Sequence, residues 1–157
     1  PFIRLSDLVV KTFGEALPHT PISQLGINRK VHFNVGDEAT RNRIGQMLAP
    51  QEVWGEWASS IAGKKPDKHG GMISITMSQE DLEDREAGYI RAQVEPSALI
   101  KSKSGIVVNV NDHYEISDTT SLDSAIRITV LLGKQFDISI RRSEWIIDQI
   151  MALKEKV

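Results

Sequence analysis

Four stretches of this chain alternate apolar and polar side chains with a period of two, and most of the rest repeats apolar residues at helical spacing. The first alternating stretch covers residues 22–35. Leu25, Ile27, Val31, Phe33 and Val35 share one parity, and Gly26, Asn28, Lys30, His32 and Asn34 share the other. Only Arg29 interrupts the dry side, which marks a sheet edge or a buried pair. The second sets Ile73, Ile75 and Met77 against Ser74, Thr76 and Ser78. The third sets Ile90, Ala92 and Val94 against Tyr89, Arg91, Gln93 and Glu95, and ends at Pro96, which has no amide proton for a ladder. The fourth, residues 105–116, carries Asn109, Asn111, His113 and Glu115 on its polar parity. Strands with one wet face each are the signature of an antiparallel sheet.

Helical spacing fills the remainder. Phe2, Leu5, Val9, Phe13 and Ala16 follow one face of a helix that Pro18 ends. Asp37 is placed to cap a helix running to Leu48, stopped by Ala49-Pro50. Residues 51–62 predict a short helix holding Val53, Trp54, Trp57, Ala58 and Ile61. Residues 63–71 read as a loop, and the acidic run 80–86 as a solvated turn of helix or a loop. After the fourth strand, Asp118 or Ser121 caps a helix with Leu122, Ile126, Val130 and Phe136. A second begins near Ser143 and carries Trp145, Ile147, Ile150 and Leu153, or the two form one kinked rod; Gly133 and Ser139 are too weak a signal to choose. The expected fold is α+β: an antiparallel sheet of about four strands with one face covered by helices, two of them C-terminal. A doubly wound parallel sheet would need continuously apolar strands and strict βα alternation.

At 157 residues, 40% of them hydrophobic, the chain is long enough to bury one core, and the simplest reading is a single domain over 1–157. Pro1 in place of an initiator methionine implies processing or excision from a longer chain. The absence of cysteine excludes disulfides, thiolate metal sites and cysteine nucleophiles, and fits a cytoplasmic location. A net charge of −2 argues against a dedicated nucleic-acid binder, and no apolar run reaches the roughly 20 residues of a membrane span.

Two segments carry a family likeness. Residues 2–35 run amphipathic helix, break, Pro21-Ile22-Ser23-Gln24-Leu25-Gly26-Ile27-Asn28-Arg29, then strand. Residues 105–151 run from a strand ending in acidic and aromatic residues into a helix with Phe136 near its end and a last amphipathic helix. Together they resemble a sporadically distributed bacterial family whose architecture is similar to the SecB export chaperone. Asn109 and Asn111 stand where that family more often has acidic residues, and residues 36–104 match no part of it. The resemblance implies an oligomer, a self-associating sheet or helix surface, and a holding role for peptide or protein partners. It implies no catalytic residue and no cofactor.

The residues themselves offer several candidate contacts. His113 and Glu115 share a strand face and could act as an acid/base pair, and His32 would join them if the first and fourth strands paired side by side. Two ligands make no zinc site, and a wet sheet face explains the same pattern. Lys64 and Lys65 begin a basic loop without the glycine spacing of a phosphate-binding loop. Trp54 and Trp57 are core residues in the simplest reading; if exposed, they form an aromatic platform for a peptide. Trp145, beside Arg141 and Arg142, suits a core or an oligomer seam. The leading expectation is a non-enzymatic binding or assembly module contacting an extended segment through Trp54, Trp57 and the Ile27 to Phe33 strand. The alternatives are an enzyme with a site around His32 and His113, and a nucleic-acid accessory using the basic loop.

Overall fold

The computed structural model describes residues 2–61, 71–116 and 123–156. Strands β1 (Gln24–Asn34), β2 (Ile75–Gln79), β3 (Gly88–Pro96) and β4 (Gly105–Glu115) form one sheet in the order β1-β4-β3-β2. Bonds at the ladder ends fix the directions. Ile116 N–H donates to Ser23 O and Val35 N–H to Ser104 O, so β1 and β4 run oppositely. Glu115 N–H to Ala87 O and Ser97 N–H to Gly105 O set β4 against β3 in the same way. The α+β class and the antiparallel pairing are those the alternation predicts. Ile73 falls outside β2 and is 84% exposed.

Helix α1 (Phe2–Lys11) passes into a π-helical turn, Thr12–Ala16, closed by Leu17 N–H donating to Thr12 O at 2.7 Å. Helix α2 (Glu38–Leu48) starts at Asp37, whose carboxylate accepts from Thr40 N–H at 2.7 Å. That bond lowers the Asp37 carboxyl pKa below its ordinary value. The helix expected over 51–62 is instead a 3₁₀ turn, Gln51–Trp57, and a short α3 (Ala58–Ile61), because Gly55 takes φ +62° and breaks the run.

In the C-terminal region the single rod holds and the two separate helices do not. It is one helix, α4 (Ser124–Met151), 28 residues long, followed by a 3₁₀ turn, Ala152–Lys156. Ser143, the expected start, is buried within the helix and its hydroxyl has no hydrogen-bond partner among the described residues, so it caps nothing; Ser139, also buried, bonds to the sheet. Gly133 has open space around it and no reason to bend. Lys64 and Lys65 of the basic loop, and the caps expected at Asp118 or Ser121, lie outside the described residues.

The chain clusters into two compact units. The first contains residues 1–29, 78–91 and 110–145. Its core is Ile27, Tyr114 and Leu132, with Val9, Val10, Leu25, Leu131, Phe136 and Ile140 packed against them. Ile27 is only 5% exposed, so the expectation that it offers a contact surface is corrected: it belongs to the core. Arg29, the exception on the dry parity, pairs with Glu144 of α4 at 2.8 Å from its place on edge strand β1. Gly88 has φ +135°, and a Cβ there would collide with the His113 carbonyl. Gly88→Ala should therefore cost about 3 kcal/mol, combining backbone strain and overpacking, as read by urea unfolding.

The second unit contains residues 30–77, 92–109 and 146–157. It buries Val35, Ile44, Val94, Ile106, Val107, Val108 and Ile147. Phe33 is half-buried within it. A Cβ at Gly45 of α2 would make only an ordinary contact with Met72, 3.5 Å from its Cβ. Among the described residues no helix is long and apolar enough to cross a membrane.

Candidate functional site

The second unit holds an open apolar groove. The 3₁₀ turn after α2 brings Trp54 and Trp57 together edge to face, with ring centroids 5.7 Å apart and planes at 74°. They form one wall with Ala49 and Gln51; Gly71, Met72, Ile73 and Ser74 form the other, around about 260 Å³. Trp54 is 55% exposed and Trp57 60%. This departs from the simpler core reading. The kink at Gly55 leaves the indoles on a short surface turn instead of an α-helical face that packs inward. Val53, on the same turn, is also exposed. The strip 71–73 is shared with a second cleft, of about 480 Å³, lined by Arg41, Asn42, Gly45, Glu95, Pro96 and Ile106. The strip leads directly into β2, an edge strand of the sheet. Such an arrangement can grip an extended chain, with aromatic faces for side chains and a strand edge, unpaired among the described residues, for backbone.

His32 belongs to the second unit and His113 to the first, and each has its own partners. His32 Nδ1 lies 2.8 Å from Ser97 Oγ. His113 stacks on Tyr89, with ring centroids 4.5 Å apart and planes at 15°, and the Arg91 guanidinium lies 3.8 Å from the Tyr89 centroid. β1 and β4 do pair, but the antiparallel register seats Gly26, not His32, beside His113. His113 Nε2 is 3.6 Å from Glu115 Oε1, too long for a hydrogen bond, and the His113 side chain is 12% exposed. Among the described residues no group of three or more His, Asp or Glu is arranged to hold a metal ion.

Asp112 and its partners are absent from the sequence-level candidates. Asp112 sits on the dry parity of β4, fully buried between Val110 and Tyr114. It accepts hydrogen bonds from Arg85 Nη1, from Ser139 Oγ at 2.8 Å and from Arg142 Nη1 at 2.9 Å. Tyr114 OH lies 2.9 Å from Ser139 Oγ, and the Arg85 guanidinium lies 3.8 Å above the Tyr114 ring. Asp84 closes the ring of charge: it accepts from Arg85 Nε at 2.8 Å and from Arg142 Nη2 at 2.6 Å. Two carboxylates and two guanidiniums thus tie the 80–87 connection and β4 to α4. The signal available in the sequence was a lone acid in an apolar row, since a buried charge demands partners.

The titrations follow from this ring. The Arg85 hydrogen bonds hold the Asp84 carboxyl down at about 2, against partial burial that would raise it. Burial opposes charge on Arg85, but bonds to Asp84 and Asp112 outweigh it and its pKa is raised. Burial pushes the Tyr114 phenol up. A carboxylate whose folded pKa is depressed stabilises above its unfolded value, 3.8 here, and loses that contribution as pH falls through about 2. The melting temperature of the protein should therefore fall between pH 4 and pH 2 (about one depressed carboxylate's span) more steeply than that of Asp84→Asn. Equal slopes in thermal scans would count against the ring.

No family model matches the chain, and no curated protein or solved structure matches it.

Proposed function

We propose that the protein is a non-enzymatic binding module that holds extended, apolar segments of partner proteins in the Trp54–Trp57 groove, and that it self-associates. The observation that carries this reading is the exposure of two adjacent indoles on a groove wall that continues toward an edge strand. Monomeric proteins rarely leave such surface uncovered, and tryptophan is the residue most enriched at binding hot spots. At about 260 Å³ the groove is smaller than the usual small-molecule pocket, whereas an extended chain can cover it along its length. A holding role of this kind fits the likeness to the SecB chaperone fold, and a cytoplasmic setting fits the cysteine-free composition.

The test is to dilute a chemically unfolded client protein into buffer with and without a stoichiometric excess of this protein. Light scattering by the client should be suppressed, and the suppression should disappear with Trp54→Ala/Trp57→Ala. Undiminished aggregation in the presence of the intact protein would refute the proposal.

A further inference from the structure

Helix α4 leaves one long face without a partner. Within the first unit, Ile126, Val130, Lys134 and Ile138 form one i, i+4 ridge, and Gly133, Asp137, Arg141 and Trp145 form the ridge beside it. All eight are exposed. Their large apolar members, Ile126, Val130, Ile138 and Trp145, have between 40% and 63% of their surface in water. Ridge neighbours α1 and β4 do not account for them: Leu132, Phe136 and Ile140 on the opposite side of α4 make those contacts. Among the described residues Lys134, Asp137 and Arg141 make no ion pair.

The two ridges are complementary to each other when one helix is reversed. We infer that α4 pairs antiparallel with α4 of a second copy of this chain, about a two-fold axis passing between Lys134 and Asp137. In that register Ile126 meets Trp145 of the second copy, and Val130 meets the aliphatic stem of Arg141. Lys134 meets Asp137, and Ile138 enters the space over Gly133. A Cβ at Gly133 would have nothing within 4 Å, so that space is free to receive a side chain. Each contact occurs twice by symmetry, which is the defining property of an isologous interface. The seam from Ile126 to Trp145 spans about 28 Å at the α-helical rise. The charge pattern selects the direction: a parallel pairing would set Lys134 on Lys134 and Asp137 on Asp137. The proposed occupant is a second copy, because the face is complementary to itself in both charge and apolar spacing.

The decisive experiment is sedimentation equilibrium on the full chain with a charge-reversal cycle, all variants being at exposed helix positions and checked for retained helicity. The intact protein should be a dimer. Lys134→Glu and Asp137→Lys should each raise the dimer dissociation constant about 10-fold or more, because each sets two like-charge pairs in the seam. The combination Lys134→Glu/Asp137→Lys should restore dimerisation close to the original strength. A monomer at millimolar subunit concentration would overturn the inference. So would single reversals that dimerise as well as the intact protein, or a double variant as weak as the singles.

Discussion

Asp112→Ala is expected to destabilise the protein by about 3–5 kcal/mol, the cost of removing one partner from a buried ionic cluster. Arg85 has only 3% of its side chain exposed and would lose an acceptor it cannot replace with water. Ser139, fully buried, would lose one too. Asp112→Asn keeps the shape and one acceptor oxygen but removes the charge, so its loss should fall between those of alanine and the intact residue. Arg142→Ala should cost less than Asp112→Ala, because Arg142 reaches solvent and leaves Arg85 in place on both carboxylates. Urea unfolding followed by circular dichroism reads all three. A loss under about 1 kcal/mol for Asp112→Ala would mean that the ring adds little beyond ordinary surface contacts.

The second large effect lies in binding, not stability. Trp54→Ala and Trp57→Ala should each weaken capture of an extended apolar peptide by about 30-fold, the equivalent of 2 kcal/mol at an interface hot spot. Neither should change unfolding free energy by more than about 0.5 kcal/mol, because both indoles are more than half exposed. The split separates a recognition surface from a packing defect: a core tryptophan would move stability first. Isothermal titration calorimetry of the intact protein and the two variants measures the first quantity, and urea unfolding the second.

The sheet was readable in the sequence because its strands are amphipathic. Burial of one face forces a period of two, and the parities of β1, β3 and β4 carry through to the burial of Ile27, Ile90, Val94, Val108 and Tyr114. The cap at Asp37 was readable for a local reason: its carboxylate bonds three residues ahead. What depends on contacts distant in sequence was not readable. The partners of Asp112 are 27 and 30 residues away, and no periodicity links them. Ser143 inside α4 resembled a fresh helix start because its burial against the fold, like the bonds of Ser139 to the sheet, is invisible in one dimension. Trp54 and Trp57 were readable as neighbours but not as exposed, since exposure was decided by the backbone break at Gly55. Pairing of β1 with β4 was a correct premise for a histidine pair, but register is set by the ladder and placed Gly26 beside His113.

Holding an extended chain between the two indoles and the 71–74 strip is tested most directly by fluorescence. In Trp145→Phe protein the emission comes only from Trp54 and Trp57, the other two of the three tryptophans. Titration with an unstructured apolar peptide should shift that emission to the blue and saturate, with the shift lost when Ile73, 84% exposed on the facing wall, is changed to Asp. An emission maximum that stays at its solvent-exposed position through saturating peptide would contradict the assignment of the groove as the binding site.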